Sequence, residues 1–340
     1  RREEERKFKP ETTRNFYFFF EISDYLGQLD EAIRYLIEEV PVPGDNIVLV
    51  TPLKTYRMLR EVVAARPKDD ILKQFRGILR RDTSAGASQY RGIIRDLEIL
   101  ARALAEQMSR ASSPVMTNPE SLLRTDSYTS SDAEARTIDD LLTQYANILA
   151  QLDDLRTVNQ EALLNLTRYL KTTEGQKYVN LFYQREFVPK IDPKILVQYM
   201  ERFQDRPDIQ QTISGLFDFY RRELTFDPEA IKRAFADSSV SCHFLYLSPP
   251  PEVITGIRLQ EQSEDIYSAF REIARASGGF TESSANPTYL MKNAVEASEN
   301  YYLLYYSPQS YVKDGKFKEI QVRVKKPDCR VVYRLGYFAR

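Results

Sequence analysis

The stretch Phe16-Tyr-Phe-Phe-Phe-Glu21-Ile-Ser23-Asp-Tyr25 runs five aromatic residues straight into an acid, a serine and a tyrosine. Its apolar part does not alternate, which predicts a strand from Asn15 to Ile22 covered on both faces, as in the middle of a parallel sheet flanked by helices. The residues before it, 1–14, are charged and polar and read as a solvated lead-in to a single domain spanning 15–340.

The neighbouring segments supply the partners such a strand needs. Leu26, Leu29, Ile33, Leu36 and Ile37 recur at helical spacing and predict a helix over Leu26–Val40, stopped by Pro41-Val-Pro43-Gly44-Asp45. Asn46–Thr51 reads as a second buried strand, and Thr55–Val62 as an antiparallel edge strand after the turn at Pro52. The C-terminal half resumes the pattern with strands at Lys177–Tyr183 and Val240–Leu247, then a helix over Glu264–Ser277 ending at Gly278-Gly279. A helix over Thr288–Ser298 and a strand at Tyr301–Tyr306 follow. Two alternating runs, Phe317–Val324 and Arg330–Phe338, read as a closing β-hairpin. The expectation is an α/β fold: a Rossmann-like, doubly wound, mostly parallel sheet with a C-terminal hairpin.

Two helical insertions interrupt this order. The first covers about 90–172: one helix marked by Ile93, Leu97, Leu100, Leu104 and Met108, a polar loop near 111–131, and a helical pattern from Asp132 to Lys171. Within the latter, Ile138, Leu142, Tyr145, Leu149 and Leu152 step by four and three, the spacing of a coiled-coil seam, so an antiparallel helical hairpin is expected. The seam packs on its own partner helix or the sheet, or else offers a docking or homo-oligomer contact. The second insertion, about 193–235, is helical and charged.

Composition narrows the functional classes. Of 340 residues, Lys and Arg number 48 against 49 Asp and Glu, a balance that argues against a broad basic face for nucleic acid or an anionic membrane. No apolar run is long enough for a membrane span. The single histidine, His243, lies in Val240-Ser-Cys-His-Phe-Leu-Tyr-Leu247 and reads as a structural imidazole in a buried strand. One histidine with Cys242 and Cys329 is too little for the usual zinc sites. The two cysteines read equally well as a disulfide or as two buried thiols. No phosphate loop, dinucleotide fingerprint or nucleophile elbow is present, and enzymatic activity is not expected.

The chain resembles the von Willebrand factor A (vWA) domain, and is most similar to the vWA-related bacterial family known from acidobacteria, whose members tend to be secreted. The matching stretches are Phe18-Phe-Phe-Glu-Ile-Ser23, Gly44-Asp-Asn-Ile-Val-Leu-Val-Thr51, Gly175-Gln-Lys-Tyr-Val-Asn-Leu-Phe-Tyr183, Ile273-Ala-Arg-Ala-Ser-Gly-Gly-Phe280, Tyr301-Tyr-Leu-Leu-Tyr-Tyr-Ser-Pro308, Asp314-Gly-Lys-Phe-Lys-Glu-Ile-Gln-Val-Arg-Val324 and Arg334-Leu-Gly-Tyr-Phe338. The insertions lie outside the match.

In that family a divalent ion sits at the carboxyl ends of the strands, held by an Asp-x-Ser-x-Ser loop, a threonine from a second loop and an aspartate after the fourth strand, a donor set suited to Mg²⁺. The resemblance places Glu21 at the first aspartate, Ser23 at the first serine, Tyr25 at the second, Ser88 at the threonine and Gln184 at the last aspartate. Losing a carboxylate at Gln184 and gaining a bulky phenol at Tyr25 imply a degenerate site with no cofactor. If an ion binds, Glu21, Ser23 and Ser88 would hold Mg²⁺. The expected function is a non-enzymatic protein-interaction module outside the cytoplasm, periplasmic or secreted, with a protein partner. The alternatives are an assembly subunit joined through the helical hairpin and a working Mg²⁺-dependent adhesion site.

Overall fold

A computed structural model describes residues 13–40, 45–58, 61, 65–112, 127–155, 158–219, 226–250, 258–261, 263–299, 304, 311–325 and 331–339. Strand β1 (Arg14–Glu21) is central in a six-stranded sheet with β2 (Asn46–Val50), β3 (Thr55–Met58), β4 (Gln176–Gln184), β6 (Val240–Leu247) and β8 (Thr281–Ser284). The spatial order is β3-β2-β1-β4-β6-β8, parallel except for β3, which returns antiparallel along β2. The α/β class and the mostly parallel, Rossmann-like sheet are therefore as expected.

Each face of the sheet carries helices, which is why its central strands lack alternation. On one face Phe16, Phe18, Phe20, Ile47, Leu49 and Phe182 pack under α1 (Leu29–Glu39), α2 (Lys68–Gly86) and α10 (Pro287–Glu299). On the other, Tyr17, Val179, Cys242, Phe244 and Tyr246 pack under α5 (Gln160–Thr172), α8 (Pro228–Asp237) and α9 (Glu264–Ala276). Phe20 and Phe182 stack with ring centroids 4.8 Å apart across the β1–β4 pair.

Polar side chains fix the register at the amino ends. Asn46 Nδ2 donates to Asn15 Oδ1 at 2.7 Å, while Asn15 Nδ2 donates to the carbonyls of Glu174 and Gln176 at 2.9 and 3.2 Å. One buried amide thus ties β1 to both neighbours, and a slip by one residue would leave it unpaired in the core. Arg14 adds a two-pronged pair to the buried Asp45, at 3.0 and 2.6 Å.

The helical insertions merge. Helix α3 (Ser88–Ser112), α4 (Ser127–Leu155), α6 (Pro193–Arg202) and α7 (Pro207–Phe219) share a second core, which includes Leu97, Leu104, Leu142, Leu149, Leu196 and Ile213. All five seam residues, Ile138, Leu142, Tyr145, Leu149 and Leu152, are buried inside the chain. Tyr145 and Tyr199 bury their hydroxyls by donating to the carbonyls of Pro189 and Leu104, at 2.9 and 2.6 Å. The helical pattern expected over Asp132–Lys171 is two helices, because Asn159 caps a new start by accepting from Ala162 N. Helix α5 then covers the sheet, with Leu170 in its core. Asp192-Pro193 and Asp227-Pro228 start α6 and α8, each aspartate accepting from the first turn.

Several expectations change in detail. Helix α2 fills residues 68–86, where the sequence reading assigned nothing. Strand β8, Thr-Glu-Ser-Ser, is polar and takes the edge beside β6. An antiparallel ribbon of β5 (Phe187–Lys190) and β7 (Arg258–Glu261) was also unforeseen. The closing hairpin forms as a short pair, β9 (Phe317–Glu319) with β10 (Gly336–Phe338), in a sheet of its own. Asp237 holds it to α8 by accepting from Phe338 N at 2.8 Å while pairing with Lys171. The expected strand at Tyr301–Tyr306 apart from Leu304, Cys329, the helix stop at 41–44 and most of the polar lead-in and hairpin loop lie outside the described residues. Cys242 is a buried free thiol.

At Gly278-Gly279 a φ of +76° at Gly278 turns the chain out of α9, and a Cβ on Gly279 would lie 1.9 Å from the Cys242 carbonyl oxygen. That turn presses against β6 at His243. The imidazole Nδ1 accepts from Phe280 N at 3.1 Å, so the proton resides on Nε2 and is donated to Ser298 Oγ at 3.0 Å; Ser298 in turn donates to Ala294 O. Burial pushes the imidazole down from the ordinary 6.5 to about 4. Above the unfolded value both states are neutral. As pH falls below it the unfolded chain takes a proton that the folded chain refuses, so stability declines between these two values by about 3 kcal/mol. Urea titrations across this window are expected to show His243→Gln losing less stability than the parent. Equal slopes would remove His243 as the acid-sensitive group.

Candidate functional site

Parallel pairing places the carboxyl ends of β1 and β4 side by side, with Glu21 opposite Tyr183. Beyond β1 the chain turns through Ile22–Gln28 into α1, and at the end of β4 the side chain of Gln184 reaches that turn. Gln184 Oε1 accepts from the backbone N–H of Ser23 at 3.1 Å and of Asp24 at 3.0 Å. The glutamine is 6% exposed, and its oxygen serves both amides of a turn in which Ser23 is half-buried and Asp24 exposed. From the other side Arg91 of α3 donates to Ser23 O at 2.9 Å and pairs with the Asp24 carboxylate at 3.6 Å. The turn after β1 is thereby held at its donors by β4 and at its acceptor by α3.

Tyr25 points away from this junction. Its hydroxyl donates to Asp30, and Arg80 lies over its ring at 4.8 Å. Asp30 is itself paired with Arg80 at 2.9 Å and Arg76 at 3.4 Å, and burial, reinforced by that carboxylate, pushes the phenol well above its ordinary value. Ser88 opens helix α3, is exposed, and donates to Ala85 O at 2.7 Å. Its neighbours Ala87, Gln89 and Tyr90, rather than Ser88, face the strand ends. Arg185, next to Gln184 in sequence, pairs with Glu261 in the β5–β7 ribbon. The structure therefore brings together Glu21, Ser23 and Gln184 and sets Tyr25 and Ser88 apart. No group of three or more His, Cys, Asp or Glu side chains is placed to hold a metal ion among the described residues.

These residues line a cleft of about 600 Å³ between the strand ends, α3, α5 and α9. Its walls are chiefly apolar: Phe19 and Leu181 from the sheet, Leu163 and Leu166 from α5, Ile266 and Phe270 from α9. Glu21 sits at the cleft, open to solvent on one side and walled by protein on the others, and this desolvation raises its pKa. No donor of the described residues reaches its carboxylate. Glu186, which the sequence reading missed, joins the same cleft and accepts from Tyr183 OH at 3.1 Å. Its closeness to Gln184 in sequence was visible; that the β4–β5 turn would aim it at the cleft was not.

Comparison with protein-family models, with curated proteins and with solved structures finds no match to this chain.

Replacing Gln184 with leucine roughly keeps the volume and removes the protein acceptor of two part-buried N–H groups, which is expected to cost about 1–3 kcal/mol. Hydrogen exchange at Ser23 and Asp24 should accelerate selectively in this variant. Unchanged exchange there would show that the glutamine does not organise the turn.

Proposed function

We propose that this chain is a non-enzymatic protein-interaction module built on a vWA-like scaffold with a degenerate metal-ion-dependent adhesion site, acting outside the cytoplasm, as the sequence resemblance implies. The observation that carries the reading is the bond from Gln184 Oε1 to the Ser23 and Asp24 amides. In the family the last aspartate and the first loop face a shared cation. Here the corresponding oxygen is neutral and accepts from two N–H groups.

The other positions support the same conclusion. Tyr25 gives its hydroxyl to Asp30, Ser88 gives its own to a helix carbonyl, and Glu21 with Ser23 leaves too few oxygens for an octahedral ion. What supports the scaffold is that two of the three loops the family uses follow β1 and β4, which are adjacent at the centre of this sheet. Assembly through the helical hairpin is the weaker reading, because the seam side chains are buried within the chain. Partner recognition then rests on shape and side-chain contact rather than on a bridging ion.

Calorimetric titration with Mg²⁺ or Ca²⁺ is expected to give no heat of specific binding, and micromolar affinity would overturn the degenerate site. The scaffold itself is tested by restoring the family's ligands. A folded Glu21→Asp, Tyr25→Ser, Gln184→Asp triple variant is expected to gain Mg²⁺ binding in about the millimolar range or better. If it stays indifferent to the ion, the vWA-like reading fails.

A further inference from the structure

The cleft at the carboxyl ends of β1 and β4 holds a combination that the interaction module does not use. It has the size of a small-molecule site, about 600 Å³, and mainly apolar walls. Its charged lining groups are both acids, Glu21 and Glu186; no lysine, arginine or histidine lines it among the described residues. Glu186 is already bonded to Tyr183, whereas no donor of the described residues reaches Glu21. The amides of Ser23 and Asp24 are turned toward Gln184. Glu21 keeps one side open to water and turns the other toward an apolar hollow, and a ligand that brings a cation together with an apolar body pairs the charge and covers the exposed hydrocarbon at once.

We propose that this cleft binds a small hydrophobic amine, its ammonium group on Glu21 and its apolar body against Leu166, Leu181 and Phe270. The pairing is one of charge and shape: an ammonium carries three donors for an acceptor-only carboxylate, and the walls offer hydrocarbon rather than further polar partners. The inference stands apart from the vWA-like reading, since it needs only the cleft and the unpartnered acid. An anionic ligand is disfavoured by both carboxylates, and a neutral one gains only the apolar burial.

The test is calorimetric titration of the intact chain with three probes of one shape: 4-phenylbutylamine, 4-phenylbutanol and 4-phenylbutyrate, at a pH where the amine is charged and the acid ionised. The amine is expected to bind about tenfold or more tightly than the alcohol, with the carboxylate weakest. Glu21→Gln, close to isosteric at a solvent-reachable position, should reduce the amine to the affinity of the alcohol while leaving the alcohol itself within about twofold. Ala162→Trp, an exposed site lining the cleft on α5, should weaken the amine and the alcohol together. The proposal is overturned if the amine fails to bind, if amine and alcohol bind equally, if Glu21→Gln keeps the preference, or if Ala162→Trp leaves binding unchanged. Mg²⁺ titration of the parent chain reports on the adhesion site separately, so failure of one reading is distinguishable from failure of the other.

Discussion

Strand β1 has neighbours in every direction. β2 and β4 pair with it edge to edge, and helices cover Phe16, Phe18 and Phe20 on one face and Tyr17 on the other. A strand so enclosed can expose polar groups only at its ends, and the ends are where the polar chemistry of this molecule collects. At the amino end the Asn15–Asn46 amide pair and the Arg14–Asp45 ion pair set the register. With register set, residue 21 falls beside residue 183, and the carboxyl-end cleft follows from it.

The carboxyl end is governed by a choice of acceptor. A carboxylate in the place of Gln184 could bind the same two amides and still carry charge toward a cation. The glutamine satisfies the amides and contributes none. Glu21 and Glu186 stand at this edge beside the apolar walls of α5 and α9, and no donor of the described residues reaches Glu21. The strand ends converge on a mainly apolar hollow lined by two acids, Glu21 and Glu186.

Around the sheet, the two helical insertions form one body rather than two. Segments separated by β4 and the helix α5 meet in a common core through α3, α4, α6 and α7. This consumes the coiled-coil seam internally and leaves α5 and α8, which lie inside the expected insertion limits, as covering helices of the sheet. Polar residues at the joints do the aligning: Asn159, Asp192 and Asp227 each start a helix at the point where the chain changes layer.

Much of this was written in local patterns. Apolar runs marked β1, β2, β4 and β6, though Lys177 and Asn180 interrupt β4 and Ser241 and His243 interrupt β6; helical spacing marked α1, α9 and α10, and the step of four and three from Ile138 to Leu152 marked a seam. Helix α2 was legible too, since Ile71, Leu72, Phe75 and Leu79 repeat at helical spacing and are all buried, although no element was assigned there. Polar β8 carried no such signal, because an edge strand needs no apolar alternation to pair its backbone. The sequence by itself determined which segments are buried on both faces, because burial imposes a period that residues a few places apart must obey. Only the tertiary structure decided that Gln184 would close on Ser23 from 161 positions away, that the two insertions would share a core, and that Glu21 would line a mainly apolar cleft. Those contacts depend on strand order and layer packing, which leave no period in the chain.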